Sequence, residues 1–265
     1  MSVSFSIITP TLNAATFLPA CLESVRSQSC PGLEHLVVDG GSRDATLELV
    51  RAAPGVTVLE QPRSNQVQAI NAGVSATNGD VLAWLNADDE YTPGALRRVA
   101  DEFEADAATD VLYGDCDVVD DVDNLLWRLS PGPYDFRRLL RRGNYIAQPA
   151  VFIHRRVFER VGMLDESFEF AMDYEFWLRL RNCRVRYVPS VLARFRWYST
   201  SKTARNQFAN WGEVLRAARR HGGGWTPELA WSFARMVVTV ARVGVLRRLN
   251  TNATREPLSR SATLD

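Results

Sequence analysis

Three sets of acidic residues in the sequence have surroundings suited to chemistry at a phosphate or a sugar. Asp88 and Asp89 come shortly after the apolar run Val81–Leu85, and paired carboxylates at a strand end can bind a hard divalent cation through oxygen. Asp39 is followed by two glycines, which permit a sharp turn and leave its carboxylate to accept hydrogen bonds from a sugar or a base. Asp173 precedes a helix with an aromatic face, where burial would raise its pKa and let it act as a base.

Each of these acids also has a purely structural interpretation. Aspartate and serine are common helix caps, because their side-chain oxygens accept hydrogen bonds from the first free backbone N–H groups of a helix. The candidate caps are Asp88 or Asp89 for a helix near Pro93, Asp173 for its own helix, and Ser42 or Asp44 in the turn after Asp39.

The apolar pattern of the first half predicts the elements that position these acids. Short apolar runs indicate strands over Phe5–Thr9, His35–Asp39, Val56–Leu59 and Val81–Asn86. Helical spacing separates them, as in Leu18–Val25. Strands that alternate with helices favour an α/β fold with a mainly parallel central sheet flanked by helices. Because ligands bind beyond the carboxyl ends of such strands, the polar segments that follow them are expected to converge.

The second half changes character from about residue 111. Strands are predicted over Val111–Tyr113, Asp117–Leu126, Ala150–Ile153, Val185–Val188 and Val191–Phe195. The absence of a low-complexity linker favours one composite domain over two independent ones.

The expected domain covers residues 1–203, with a nucleotide-binding half over 1–110 and an acceptor-side half over 111–203. A C-terminal helical extension follows over 204–250, and residues 251–265 are expected to be a disordered tail. The apolar face of the extension could pack on the domain, pair with a second copy of the chain, or lie on an anionic membrane surface. Packing or self-association is the favoured interpretation, and arginines within the extension disfavour a bilayer span.

Composition excludes several classes of protein. The 31 Lys+Arg balance 31 Asp+Glu, which removes the whole-chain argument for nucleic-acid binding. No GxGxxG motif is present, which argues against a nicotinamide or flavin enzyme. The 4 cysteines show no metal-ligand spacing and the N-terminus shows no signal pattern, so a cytoplasmic protein with free thiols is expected, with peripheral contact at the inner face of the membrane as a further option.

Four segments carry a family resemblance. They read SIITPTLN, VVDGGSRDAT, QAINAGVSATNGDVLAWLNADD and QPAVFIHRRVFERVGMLDESFEFAMDYEFWLRL. In this order, and at the strand ends and helix starts where they fall, they resemble the inverting glycosyltransferases of family 2, which have the GT-A fold. The resemblance covers about residues 3–203.

The resemblance implies roles for particular residues. The strand-one segment and the acid of the DGGS motif hold the nucleotide in such enzymes, and the corresponding residues here are Thr9, Pro10, Asn13 and Asp39. Asp88 corresponds to the last acid of the DxD-type motif, which holds Mg²⁺ or Mn²⁺ on the donor diphosphate. Asp173 corresponds to the acid that acts as the catalytic base.

The sequence departs from the family pattern at several of these positions. Asn86 replaces the first acid of the DxD-type motif, and Met172 replaces the first acid of the later motif. Arg63 and Gln68 occupy positions where acids are expected, which predicts altered donor recognition. Tyr198 occupies the place of a metal-binding His, and a phenol is a poor ligand for these ions at neutral pH.

The resulting prediction is a metal-dependent inverting glycosyltransferase that uses a nucleotide-diphosphate sugar, with uridine as the expected nucleoside. Its expected acceptor is a hydroxyl of a glycan or a lipid-linked saccharide. Arg194, Arg196 and Lys202 are expected to clamp the diphosphate, against the alternative of a solvated edge. The rival functions are a nucleotidyltransferase and a non-catalytic module that binds nucleotide sugars.

Overall fold

The structure, a computed structural model, describes residues 3–198, 201–234 and 237. The chain falls into two units, one ending at Gly224 and one beginning at Trp225. In the second unit residues 227–234 are helical, whereas the predicted tail over 251–265 lies outside the described residues. Among the residues that are described, none of the helices combines the length and apolar character needed to cross a bilayer.

A nine-stranded mixed sheet forms the centre of the first unit. The strands are β1 (Phe5–Thr11), β2 (Leu33–Asp39), β3 (Val56–Glu60), β4 (Val81–Trp84), β5 (Glu90–Tyr91), β6 (Val111–Val119), β7 (Leu125–Leu129), β8 (Val151–His154) and β9 (Val185–Arg196). The helices are α1 (Leu18–Arg26), α2 (Thr46–Ala52), α3 (Gln66–Ala76), α4 (Ala95–Ala105), α5 (Phe136–Arg142), α6 (Arg156–Val161), α7 (Met172–Arg179), α8 (Lys202–Arg205) and α9 (Gln207–Arg220).

The strand order is β3-β2-β1-β4-β8-β6-β9-β5, with β7 paired to β6. Strands β1 to β4 run parallel, as predicted. Antiparallel pairing of β8 with β4 and β6 then makes the whole sheet mixed. Because helices cover both faces, Phe5, Ile7 and Ile8 of β1 are all fully buried. Helix α3 approaches β1 so closely that a Cβ on Gly73 would stand 2.5 Å from Cγ2 of Ile8.

Two predictions for the second half are wrong. The strand over Asp117–Leu126 is interrupted, because β6 ends at Val119 and the Asp120 carboxylate accepts the N–H groups of Val122 and Asn124 in a turn. The two strands expected over residues 185–195 are one strand, β9, whose pairing with β6 shifts register near Gly114. Helices α8 and α9 belong to the first unit, so the unit boundary lies beyond residue 203.

Candidate active site

The polar segments that follow β1, β3 and β4 line one large cavity at the carboxyl edge of the parallel strands. Its volume is about 970 Å³. Pro10 and Asn13 come from the end of β1 and the loop beyond it, Arg63 from the turn after β3, and Asp88 from the segment after β4. The predicted convergence of these segments is therefore confirmed.

A second cavity, of about 240 Å³, adjoins the first. Asn144, Gln148 and Asp173 line it, and α9 contributes Asn210 and Val214. The side chains that border both cavities are Gln66, Asn86, Glu169, Phe195 and Lys202. Ligands in the two cavities would therefore lie on either side of this shared wall.

Asp39 ends β2 and is 1% exposed. Its Oδ1 accepts the N–H groups of Gly41 at 2.9 Å and Ser42 at 2.8 Å, and its Oδ2 accepts the hydroxyls of Thr11 and Ser42. Burial raises the pKa of Asp39, but these hydrogen bonds outweigh it and hold the pKa below its ordinary value. The carboxylate thus shapes the turn, and it is Gly40 of this turn that borders the large cavity.

Besides Asp39, two predicted donor-binding residues, Thr9 and Gln68, lie outside the lining of the large cavity. Thr9 is fully buried, and its hydroxyl lies 3.0 Å from Nε2 of His35, whose pKa burial lowers to about 4. Gln68 forms a capping box with Asn65 at the start of α3. With Arg63 it lines a separate open cavity of about 620 Å³. Arg63 borders both spaces, whereas Thr9 and Gln68 support the fold around the large one.

The two aspartates after β4 have different surroundings. Asp89 is fully buried, and it accepts the backbone N–H of Arg196 at 3.0 Å and Nδ2 of Asn86 at 3.1 Å. Asp88 borders the large cavity and accepts the Tyr198 hydroxyl at 3.0 Å. Burial raises the pKa of Asp88, and burial together with the neighbouring Asp88 charge raises that of Asp89. Of these two aspartates, only Asp88 borders the cavity.

The helix-capping interpretation is wrong for Asp88, Asp89 and Asp173, whereas Asp44 accepts the N–H of Thr46, the first residue of α2, at 3.1 Å. The N-cap residues of α2, α4 and α7 are Ala45, Gly94 and Ala171, and none of these helices has a hydrogen bond from an N-cap side chain.

Asn86 contributes to the wall between the two cavities. Its Oδ1 accepts Nε2 of Gln66 at 2.7 Å, and its Nδ2 donates to Asp89 and, at 3.3 Å, to Oε1 of Gln148. Gln148 in turn donates to the carbonyl oxygen of Trp84. Asn86 stands where the family pattern has a carboxylate. Its side-chain amide is hydrogen-bonded to the amides of Gln66 and Gln148 and to Asp89.

Arg196 lies at the end of β9 and is 3% exposed. Its guanidinium donates to the carbonyl oxygens of Asp88 at 3.1 Å and Asp120 at 2.9 Å, and it pairs with Glu90 and with Asp123. These contacts occupy most of its donors. The diphosphate contact of Arg196 stays a prediction, and the geometry favours a role in holding the segment that carries Asp88.

Lys202 begins α8 and borders both cavities. Its Nζ donates to the carbonyl oxygen of Glu169 at 3.0 Å and to Oε1 of Gln66 at 3.1 Å, and lies 5.2 Å from the centre of the Phe170 ring. Burial lowers its pKa. Lys202 is itself part of the shared wall, so an anionic ligand in the large cavity could reach its ammonium group.

Asp173 lies in the first turn of α7 and borders the smaller cavity. Its Oδ2 accepts Nδ2 of Asn144 at 2.8 Å, and its Oδ1 accepts the N–H of Tyr174 at 2.7 Å. Burial raises the pKa of Asp173 to about 6, against the opposing effect of these hydrogen bonds. A carboxylate with such a pKa is suited to accept a proton from a hydroxyl near neutral pH. Trp177, on the same helix, is fully buried and stacks on Trp84, so it belongs to the core.

Three acidic residues border the large cavity, Asp88, Asp121 and Glu169, and Glu169 is paired with Lys202. Within the described ranges, no cluster of three or more His, Cys, Asp or Glu side chains could hold a metal ion. Mg²⁺ is commonly held by one or two carboxylates together with substrate phosphates. Asp88 beside a cavity of this size fits a cation of that kind, whereas Asp89 and Asn86 are already bonded within the protein.

Comparison with known proteins identifies the class and then the family. The fold is that of GT-A glycosyltransferases: the crystal structure of S. aureus TarS 1–349 matches with a TM-score of 0.65 at 17% identity, covering 96% of this chain and 76% of that one. The chain belongs to glycosyl transferase family 2, whose sequence profile matches residues 6–162, more than half of its length.

Curated relatives agree with this assignment. A PGL/p-HBAD biosynthesis glycosyltransferase of Mycobacterium bovis is 36% identical over 197 residues, which is 72% of this chain and 73% of the relative. An uncharacterized glycosyltransferase of Rickettsia prowazekii is 24% identical over 221 residues, 79% of this chain and 69% of that protein. The complex of TarS 1–349 with UDP-GlcNAc matches with a TM-score of 0.66 at 18% identity, over 96% of this chain and 76% of that chain.

Sequence reasoning missed Gln66 and Asn144 as cavity residues. Gln66 begins α3, and the N-x-x-Q pattern of Asn65 and Gln68 is a capping-box signal that could have placed this helix start. Asn144 follows Gly143, which ends α5 with a φ of 81°, and no sequence pattern links it to Asp173.

Proposed function

We propose that this family 2 glycosyltransferase transfers a sugar from a uridine diphosphate donor to a hydroxyl of a glycan or lipid-linked saccharide, with inversion at the anomeric carbon. The observation that carries the proposal is the pair of adjoining cavities, with Asp88 on the larger and Asp173 on the smaller. This division suits a donor diphosphate on one side of the shared wall and an acceptor hydroxyl on the other.

The donor is proposed to bind in the large cavity, with its nucleotide along Pro10, Asn13 and the Gly40 turn. Asp88 would hold Mg²⁺ or Mn²⁺ on the diphosphate, and Lys202 would contact a phosphate oxygen. When bound, the cation offsets the negative charge that develops on the leaving diphosphate. The choice of uridine is supported by the similar fold of TarS, which has been crystallised with UDP and with UDP-GlcNAc.

Asp173 is proposed as the general base. Its carboxylate would accept the proton of an acceptor hydroxyl in the smaller cavity while that oxygen attacks the anomeric carbon. Attack from the side opposite the departing diphosphate is a single displacement, which inverts the centre and needs no protein nucleophile. Ile146, Pro149 and Phe170 border this cavity and provide apolar surface for the ring faces of an acceptor saccharide.

The test is to incubate the protein with a panel of nucleotide sugars and to measure nucleoside diphosphate release with Mn²⁺ or with a chelator, with and without acceptor. Release from UDP-sugars that requires metal and rises with acceptor is expected. The Asp88→Asn variant is expected to lower kcat/KM about 100-fold, whereas Asp101→Asn, an exposed carboxylate on α4, serves as the matched control.

Three results would contradict the proposal in different ways. Equal turnover in chelator and in Mn²⁺ would show that transfer does not require a divalent cation, which contradicts the proposed role of Asp88. Calorimetric binding of UDP-sugars without transfer to any acceptor would favour the non-catalytic module, and release of pyrophosphate from a nucleoside triphosphate would favour a nucleotidyltransferase.

A further inference from the structure

The segment that leads into Asp173 is held by a carboxylate from a different helix. Glu213 of α9 accepts the backbone N–H groups of three consecutive residues. The distances are 3.0 Å from Glu169 to each oxygen, and 2.7 Å from Phe170 and 2.9 Å from Ala171 to Oε2. Helix α7 has no side-chain cap of its own, so the amides that precede it are satisfied from α9 instead.

The held segment borders the proposed catalytic centre. Glu169 contributes to the wall between the cavities, Phe170 borders the smaller one, and Asp173 follows only two residues after Ala171. The carbonyl oxygen of Glu169 accepts Nζ of Lys202 at 3.0 Å. The backbone of Glu169 is therefore held at its N–H by Glu213 and at its C=O by Lys202.

Helix α9 is itself fixed close to this segment. Arg216, one turn beyond Glu213, donates to the carbonyl oxygen of Ser167 and lies over the Phe168 ring at 4.3 Å. Arg220 pairs with Asp165 at 2.5 Å. The side chain of Glu213 is 15% exposed, and a partly buried carboxylate that accepts several N–H groups makes stronger hydrogen bonds than a neutral acceptor does.

We propose that Glu213 is a positioning residue for glycosyl transfer, which holds residues 169–171 so that Asp173 and the shared wall keep the geometry of the acceptor side. The proposal rests on the proposed function, in which Asp173 is the base. It gives a part in the acceptor-side geometry to α9, which the sequence analysis placed in the C-terminal helical extension.

The test compares Glu213→Gln with Asp165→Asn. Each variant changes a carboxylate that joins α9 to residues 165–171 into its isosteric amide. Only Glu213→Gln replaces the charged acceptor of the three N–H groups. Glutamine keeps one acceptor oxygen and turns an NH₂ group toward an N–H donor. Amide exchange of residues 169–171 is expected to accelerate about tenfold in Glu213→Gln and to stay unchanged in Asp165→Asn.

Steady-state kinetics supply the functional readout. In Glu213→Gln, kcat with acceptor is expected to fall about 10- to 100-fold, because small displacements of a catalytic group have effects of this size. The donor KM is expected to stay within about twofold of the wild-type value, since Pro10, Asn13 and Asp88, which are proposed to bind the nucleotide and the cation, lie on other segments than residues 169–171. Glu213→Asp keeps the charge but is shorter by one methylene, and an intermediate loss is expected if its side chain still reaches two of the amides.

Three results would overturn the proposal. They are transfer in Glu213→Gln within about twofold of wild type, an equal loss in Glu213→Gln and Asp165→Asn, and unchanged exchange at residues 169–171. A wild-type protein that turns over no nucleotide sugar would refute the proposed function and, with it, any positioning of a base. The exchange experiment separates these failures, because it reports on the contact with Glu213 without requiring activity.

Discussion

Replacing Asp173 by asparagine is expected to stabilise the folded protein while it removes glycosyl transfer. Burial raises the pKa of this carboxyl from 3.8 to about 6, so its charged form is disfavoured in the folded state. At 1.36 kcal/mol per pKa unit this corresponds to about 3 kcal/mol above pH 6. Asparagine keeps only one acceptor oxygen for Asn144 and the N–H of Tyr174, and the lost hydrogen bond offsets about 1 kcal/mol. A net stabilisation of about 2 kcal/mol remains.

The pH dependence of this difference follows from the direction of the pKa shift. Between pH 3.8 and about 6 the folded protein binds the proton of Asp173 more readily than the unfolded chain does, so wild-type stability falls as pH rises through about 6. The variant lacks this loss. The melting temperature of Asp173→Asn should therefore exceed that of wild type by roughly 4 to 8 °C at pH 8, and the difference should disappear near pH 4.

The assay combines thermal melts at several pH values with transfer kinetics. Loss of a general base is expected to lower kcat by about 100- to 10,000-fold, while wild-type kcat/KM should fall as pH drops below about 6. Asp101→Asn, which breaks only the exposed pair with Arg97, should change neither property by much. A variant that melts at the wild-type temperature at pH 8 would refute the burial argument, and one that retains transfer would refute the role as base.

Three further predictions concern the support of the site. Arg196→Lys keeps the charge but loses the planar set of donors, so it should cost about 2 kcal/mol in the free energy of unfolding by denaturant titration. Gly114→Ala places a Cβ 2.6 Å from the carbonyl oxygen of Ser190 and should lower the free energy of unfolding by about 1 to 3 kcal/mol in the same titration. A denaturation midpoint equal to that of wild type would contradict the close packing. Asn144→Ala removes a hydrogen bond that lowers the pKa of Asp173, so the acidic limb of the pH–rate profile should move to higher pH, and an unmoved limb would count against this contact.

The first half of the fold could be predicted because its signals are local. Strands β1 to β4 are short apolar runs, of which β1, β2 and β4 are largely buried and β3, at the edge of the sheet, is partly exposed. The helices between them carry apolar residues at helical spacing. The polar segments at the strand ends then had only one edge of the sheet at which to lie. This is why Asp88 and Asn13 could be assigned to one cavity from sequence.

The second half depends on long-range contacts that leave little local signal. Pro189 and Ser190 look like a turn between two strands, yet β9 continues through them because β6 pairs with it on both sides of a register shift. Asp115 lies within β6, nearly buried, because the Tyr187 hydroxyl donates to it. Glu213 accepts hydrogen bonds from backbone N–H groups more than 40 positions earlier in the chain. An acid on an amphipathic helix is ordinarily expected to face solvent, so the sequence did not indicate this role.

The contacts of Arg196 have a consequence for engineering by domain exchange. This arginine lies in the second half of the domain, which is expected to bind the acceptor, yet it donates to the backbone of Asp88 and pairs with Glu90 in the first half. A chimera that joins the first half of this chain to the second half of another family member would lose these contacts to Asp88 and Glu90 unless the second half restores them. Such a hybrid should therefore keep the segment that carries Asp88 in place only when the grafted half supplies an arginine at the end of its last strand.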